Sequence, residues 1–324
     1  MKKLQMTGPG KSKLIEVPIP SINDDQMLIR LKYQGVCMSE HYGWSTSIAG
    51  KSFGHEPMGV VEEIGKSITK FKVGDRVTGF LEGGIAEYNV ACEADTFLIP
   101  DNVRDEDAII EPLACLVSAV SKVHLNMPGE KSVAVVGCGY MGCGAIGLLK
   151  LRGAARVVAV DTNRASLENA LKYGADEVYT PDELPEEYKA PNEHPDKGGF
   201  NLVFEWGETE ESLATAIIMT KMCGMLAVGA FHTGGNRSVD VQLLNVKAID
   251  MLSTHPRELD LMRISAQNAI DMISSEQWNY HNLLTKIYPM GQFDLAHEEL
   301  TSKYGKYMKA IIDCGKFGSE PLIK

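Results

Sequence analysis

Residues 135–142 read Val-Val-Gly-Cys-Gly-Tyr-Met-Gly, and this segment restricts the fold more than any other part of the chain. The apolar run before it, Ser132 to Val136, has the length and β-branched content of a buried parallel strand. The residues after Gly142, through Leu151, have a helical pattern with small side chains turned toward a sheet. Gly137 then supplies the tight turn and Gly139 lets backbone approach a pyrophosphate. Gly142 lets helix and strand pack closely. The N–H groups of the first helical turn, from Tyr140, Met141 and Gly142, face the phosphates. A second apolar strand, Val157 to Val160, ends in Asp161, which is placed to accept hydrogen bonds from an adenosine ribose. A carboxylate there repels a 2′-phosphate, so NAD is favoured over NADP, with Arg164 close enough to soften the preference. A G-x-G-x-x-G alone is also found as a glycine-rich turn in other parallel-sheet proteins. With both strands, the helix and the acid, it indicates a nicotinamide dinucleotide site.

A chain of 324 residues suggests about two domains. The apolar fraction of 44% and charged fraction of 23% are ordinary for a globular protein with a sizeable core. A net charge of −11 without a basic cluster argues against a nucleic-acid surface. No apolar run approaches a membrane span. Met1-Lys2-Lys3 is not followed by the apolar stretch of a secretory signal, so the expected location is the cytoplasm. Seven cysteines are scattered without C-x-x-C spacing, which argues for reduced thiols. Cys138 and Cys143 read as small hydrophobes of the glycine turn and helix; Cys37 stands apart.

The chain changes character along its length. Up to about residue 110 it consists of short β-type runs, among them Met27 to Tyr33, Gly59 to Ile64, Arg76 to Phe80 and Glu87 to Ala91, separated by turn residues. Beyond residue 113 strands alternate with helices: Ser132–Val136, Val157–Val160, Asn201–Glu205 and Met225–Gly229. The fold class expected is α/β, a compact β-rich domain plus a doubly wound parallel sheet. Pro181 to Gly199 reads as a solvated surface loop with a short helix. The tail from about Tyr280, with Ile287-Tyr288-Pro289 and Lys309 to Asp313, reads as a return to the β unit. The boundaries that follow are 1–115 for the first domain, 116–255 for the dinucleotide domain and 256–324 for the return.

Three separated motifs in the β-rich part carry metal-ligand chemistry. They are Gly35-Val36-Cys37-Met38-Ser39-Glu40-His41-Tyr42, Gly54-His55-Glu56-Pro57-Met58-Gly59 and Glu111-Pro112-Leu113-Ala114. Thiolate, imidazole and carboxylate are the ligands a catalytic Zn²⁺ accepts, with one position open for water or substrate. Singly, Cys37 reads as a buried thiol, His55 as a hydrogen-bonded core histidine and Glu111 as an acid stabilised by a helix N-terminus. Their joint occurrence ahead of a dinucleotide fold reverses that preference.

From about residue 15 to residue 235 the order of motifs resembles the zinc-dependent medium-chain alcohol dehydrogenase superfamily. G-x-C-x-S is followed by G-H-E-x-x-G-x-V, by Val73-Gly74-Asp75-Arg76-Val77, by Gly84-Ile85-Ala86-Glu87-Tyr88, by E-P-L-A at Glu111 and by the glycine turn. The resemblance implies a GroES-like catalytic domain, an inserted Rossmann domain, a cleft between them and a homo-oligomer, dimer or tetramer. Glutamate followed by proline at Glu111 resembles the polyol and sorbitol-type branch, whereas many primary alcohol dehydrogenases have a second cysteine there. It further implies Cys37 and His55 as zinc ligands, with Glu56 and Glu111 as carboxylates binding zinc directly or through its water. Ser39 is implied to pass the substrate proton toward cofactor ribose and bulk water, and Tyr42, paired with His41, to line the substrate pocket. Two departures stand out. His41 lies four residues after Cys37 where the family places its histidine five after, and Glu40 replaces the usual aspartate. Only Thr78 to Gly84 stands where the structural zinc lobe of four cysteines belongs, so one zinc per chain is expected.

The reaction implied is reversible hydride transfer between NAD and a secondary hydroxyl of a polyol, sugar or cyclitol, with no nucleic acid and no membrane as partner. Three rivals differ. A zinc-free enone or quinone reductase generally lacks the cysteine and G-H-E motifs, and a dinucleotide-binding regulatory protein has no need of a ligand set. A dehydrogenase of a larger biosynthetic intermediate shares every motif. His232, after the strand ending at Gly229, is expected near the nicotinamide, although a loop histidine is the commoner role. Arg257 is suited to an anionic substrate group, although an exposed salt bridge is commoner.

Overall fold

A computed structural model describes every residue except 48, 82, 126–131, 191–197, 281–284, 303–306, 319–321 and 324. In chain order the elements are β1 (Lys2–Gly8), β2 (Lys11–Glu16), β3 (Gln26–Val36), α1 (His41–Thr46), β4 (Pro57–Ile64), β5 (Arg76–Gly79), β6 (Tyr88–Cys92), β7 (Thr96–Leu98) and α2 (Glu111–Ser121). Then come β8 (Ser132–Val136), α3 (Tyr140–Leu151), β9 (Arg156–Val160), α4 (Arg164–Lys172), β10 (Glu177–Tyr179), β11 (Phe200–Glu205), α5 (Glu210–Met219) and β12 (Thr220–Val228). The chain finishes with α6 (Val241–Val246), β13 (Asp250–Ser253), α7 (Leu259–Ser274), β14 (Thr285–Pro289), α8 (Phe293–Ser302), β15 (Lys309–Asp313) and β16 (Leu322–Ile323).

The β-type runs of the first third form an antiparallel sheet around β3, which pairs with β4, β6 and β15. The tail does return to it. Ile311 of β15 lies opposite Gly35 of β3, and β14 adds on the far side of β15. Met27, Ile29, Val61, Val77, Tyr288 and Ile312 fill its core.

The alternating middle forms a parallel sheet in the order β10-β9-β8-β11-β12-β13, so chain order 3-2-1-4-5-6. Val133 to Val136 and Val157 to Val160 are all buried, as strands covered on both faces require. Gly142, in the first turn of α3, must be glycine, because a Cβ there would lie 1.9 Å from the Gly137 carbonyl oxygen. Helix α7 packs on α2, and both share one core with α3 and β8.

Two readings need correction. Pro181 to Gly199 is not a solvated loop throughout: Leu184, Tyr188 and Ala190 are buried, and the Tyr188 hydroxyl donates to Glu177 at 2.6 Å. Residues 191–197 of that stretch lie outside the described residues. Strand β12 starts at Thr220, not Met225, because α5 ends at Met219 and the chain turns directly into the sheet.

Candidate active site

Strand register gathers the metal motifs. Val36 pairs with Ala310 and Gln34 pairs with Pro57. Cys37 just past β3, His55 and Glu56 just before β4, and Lys309 at the start of β15 therefore meet at one end of the sheet. The buried Gln34 amide, with its oxygen toward the loop, accepts from the backbone N–H of His55 at 2.7 Å and of Glu56 at 2.9 Å. Gly35 is required for room, since a Cβ there would lie 1.9 Å from Glu56 Oε2.

A sulfur, an imidazole nitrogen and a carboxylate oxygen of Cys37, His55 and Glu56 lie within 4.8 Å of one another. Among the described residues no other group of Cys, His, Asp or Glu donors is gathered this closely. His55 Nδ1 is hydrogen-bonded to Glu40 Oε1 at 2.9 Å, and the same oxygen accepts from Gly54 N–H at 2.8 Å. Glu40 thus holds the ring and leaves Nε2 for a ligand position, the usual arrangement behind a metal-bound histidine. Ser39 Oγ donates to Cys37 Sγ at 3.1 Å. Glu111, in the first turn of α2, accepts from Cys115 Sγ at 3.1 Å and stays outside the 4.8 Å group.

Burial and neighbouring charges shift several groups of the cluster. Burial, then the Glu56 charge, push the Cys37 thiol above its ordinary pKa. Burial and Glu56 likewise raise the Glu111 carboxyl, against the pull of His55. Burial pulls the His55 imidazole down, but Cys37 and Glu40 outweigh it and raise its pKa. Lys309, ion-paired with Glu56, stays charged because Glu56 and Cys37 override its burial. Glu56 Oε1 is buried with no hydrogen-bond partner. This donor set, with an orphaned carboxylate oxygen, fits a Zn²⁺ ion.

The glycine turn fits a dinucleotide. Gly137 has φ +91° and its Cβ would strike the Trp206–Gly207 backbone, whereas a Cβ on Gly139 would have nothing within 4 Å. The open side of Gly139 leaves room for a ligand above the N–H groups of Tyr140, Met141 and Gly142, which have no intrahelical partner. The Tyr140 ring is turned away, T-shaped against Tyr280 and under Lys309, so its main-chain N–H is what it offers. Asp161 accepts from Cys138 N–H at 2.7 Å and Asn163 N–H at 2.8 Å. Burial raises its pKa against those two bonds, and each oxygen retains a lone pair for a ribose. Arg164 is engaged by Glu183, not by Asp161.

The other sequence-derived residues divide. His41 is turned aside: its ring lies 5.3 Å from Trp44 and 5.8 Å from His297, burial lowers its pKa, and no hydrogen bond joins it to Ser39. Tyr42 is half exposed, and its ring packs on Gly234 of the loop after β12. Arg257 lies over the Phe231 ring, 5.9 Å from its centroid. Sequence reasoning missed Lys309 and Cys115 as neighbours of the ligands. Lys309 is distant in sequence, and only the register of β15 brings it in. Cys115 carried a signal, the four-residue spacing that puts it on the same helix face as Glu111.

A chain with a thiol–imidazole–carboxylate cluster on a β-rich unit, beside a 3-2-1-4-5-6 sheet with a phosphate-binding turn, is a metal-dependent, dinucleotide-linked oxidoreductase. Residues 23–101 match the alcohol dehydrogenase GroES-like domain and residues 141–275 the zinc-binding dehydrogenase domain. The chain is 27% identical to D-arabitol-phosphate dehydrogenase of Enterococcus avium, over 97% of both. It is 25% identical to the probable D-xylulose reductase A of Aspergillus clavatus, over 95% of both. The structure of galactitol-1-phosphate dehydrogenase from Escherichia coli superposes with a TM-score of 0.80 at 18% identity, covering 97% of this chain and 100% of that one. The chain belongs to the zinc-dependent medium-chain alcohol dehydrogenases, whose cofactors are zinc and NAD(P).

Proposed function

We propose that this protein is a zinc-dependent, NAD-linked dehydrogenase of a secondary hydroxyl on a polyol, sugar or cyclitol. The observation that carries the reading is the Cys37–His55–Glu56 cluster, with Glu40 behind His55, on the same chain as the Gly137–Gly142 turn. Relatives named as arabitol-phosphate dehydrogenase and xylulose reductase support the substrate class.

Zn²⁺ held by Cys37, His55 and a carboxylate, Glu56 or Glu111, would acidify the substrate hydroxyl, and the nicotinamide would take up the hydride. The chain's own residues do the rest. Ser39 Oγ, next to the Cys37 sulfur, takes the substrate proton and passes its own toward solvent. Glu40 fixes the His55 ring, and Lys309 balances the buried carboxylate of Glu56. Tyr42, on the exposed side of α1, lines the substrate entrance, and His41 before it packs on Trp44. Gly137, Gly139 and Gly142 admit the pyrophosphate to the main-chain N–H groups of Tyr140, Met141 and Gly142, while Asp161 binds the adenosine ribose and disfavours a 2′-phosphate.

Residues 1–115 and 256–324 form the catalytic part around the Rossmann part, 116–255. The location we assign is the cytoplasm and the assembly a homo-oligomer. Cys37, Cys115, Cys138, Cys143, Cys223 and Cys314 are free thiols, and no described helix is long and apolar enough to cross a membrane. The test is NAD⁺ reduction across polyols, polyol phosphates and cyclitols with wild type and Ser39→Ala. The variant is expected to keep zinc and NAD binding and lose at least about 100-fold in kcat. Full turnover removes Ser39 from proton transfer, and no turnover of any panel member by wild type refutes the substrate class.

A further inference from the structure

The parallel sheet sets β9, β8, β11 and β12 side by side. A dinucleotide crossing at the β8–β11 switch point has its adenosine half over β9 and its nicotinamide half over β11 and β12. Asp161 ends the β9 side. On the other side, Glu205 ends β11 fully buried. Its Oε1 accepts from Gly207 N–H at 2.7 Å, Glu208 N–H at 2.9 Å and Ser212 Oγ at 2.6 Å. Its Oε2 lies 2.8 Å from His232 Nε2. The carboxylate is the acceptor in each contact, so Nε2 is the donor to Glu205, and in the tautomer with its proton on Nε2 the other ring nitrogen, Nδ1, is an acceptor. That Nδ1 is buried and has no hydrogen-bond partner.

The loop presenting it is fixed from several sides. Gly229 and Ala230 N–H both donate to the Glu205 carbonyl, and Thr233 donates to Glu208 Oε1 through N–H at 3.0 Å and Oγ1 at 2.9 Å. Arg237 reaches the Thr233 carbonyl at 2.8 Å. Gly234 packs on the Tyr42 ring, so the loop reaches α1, which follows the Cys37 motif. His232 itself adopts φ 51°, a left-handed conformation that a non-glycine residue keeps only when its surroundings impose it.

We propose that His232 reads the ribose of the nicotinamide half, its Nδ1 accepting a hydrogen bond from a ribose hydroxyl, with Glu205 as the positioning residue behind it. A phosphate has no donor to offer an acceptor nitrogen, whereas a ribose hydroxyl does. The arrangement mirrors Asp161, one hydroxyl reader on each side of the switch point. The inference rests on the dinucleotide reading above.

Calorimetric titration of the full zinc-loaded chain with NADH, ADP-ribose and ADP tests it, because ADP lacks the second ribose and ADP-ribose lacks only the nicotinamide. His232→Gly keeps the left-handed backbone and removes the ring. It is expected to weaken NADH and ADP-ribose by about tenfold and leave ADP unchanged. His232→Asn tolerates the same backbone and retains an acceptor oxygen, so its losses should be smaller. Unchanged binding of ADP-ribose overturns the proposal, and a raised polyol KM at unchanged dinucleotide affinity would make His232 a substrate contact instead. Equal weakening of ADP would mean that the substitution collapsed the loop and that the histidine is structural. Failure of wild type to bind ADP would remove the dinucleotide reading itself.

Discussion

At the scale of single residues, the buried ion pair between Glu56 and Lys309 decides how stable the metal end of the sheet is. Removing one partner leaves the other charge buried and uncompensated. Lys309→Met should therefore cost about 3 kcal/mol in urea unfolding. Glu56→Gln/Lys309→Met should cost less than the two single substitutions together, as a double-mutant cycle measures. His297 supplies a second prediction. Its ring is buried against Trp44 and Phe293, neither nitrogen has a hydrogen-bond partner, and burial followed by the His41 charge lowers its pKa to about 3. The folded pKa lies below the ordinary 6.5, so the unfolded chain binds the extra proton between those values. This group adds nothing to stability above pH 6.5 and subtracts up to about 1.4 kcal/mol per pH unit below it. His297→Phe should gain on wild type in urea midpoint as the pH falls from 7 to 5; parallel curves would contradict the burial argument. Cys37, Ser39, His55, Glu56 and Glu111 were legible in the sequence because their motifs are local and their residue types are few. His232 was placed near the nicotinamide, but Lys309 and the Glu205 behind His232 were not assigned, because each acts through a partner distant in the sequence.

At the scale of elements, the β8–turn–α3–β9 unit was readable almost to the residue, since every signal in it is local: valine runs, three glycines and one acid. The geometry behind Gly142 makes a direct prediction. A methyl group would sit 1.9 Å from the Gly137 carbonyl, so Gly142→Ala should push α3 off β8 and displace the N–H groups meant for a pyrophosphate. NADH affinity should fall at least about tenfold by fluorescence titration while bound zinc is retained. Wild-type affinity would show that the turn has more slack than its contacts imply. The stretch from Pro181 was misread because its charges and prolines are local, whereas the burial of Leu184 and Tyr188 depends on β11 and β9. Early entry into β12 was missed for the same reason: the Thr220–Cys223 segment gains strand character only by lying beside β11 and the turn before β13.

At the scale of the whole molecule, the account depends on two units meeting so that metal chemistry and hydride transfer share one space. The order of motifs announced both units, and a β-rich start followed by alternating strands and helices admits few other folds. How they meet was not announced, because Tyr42 on Gly234 and the Glu208 charge acting on His41 join residues more than 160 positions apart. The central claim is that one zinc at Cys37 and His55 makes this chain a dinucleotide-linked dehydrogenase. The most direct measurement is NAD⁺ reduction by a reactive polyol, followed before chelation, after chelation and after zinc is returned, with metal content measured at each stage. Activity that disappears with about one zinc per chain and returns with it is the expected result. Undiminished turnover by the metal-free protein would contradict the account and make Cys37, His55 and Glu56 a structural cluster.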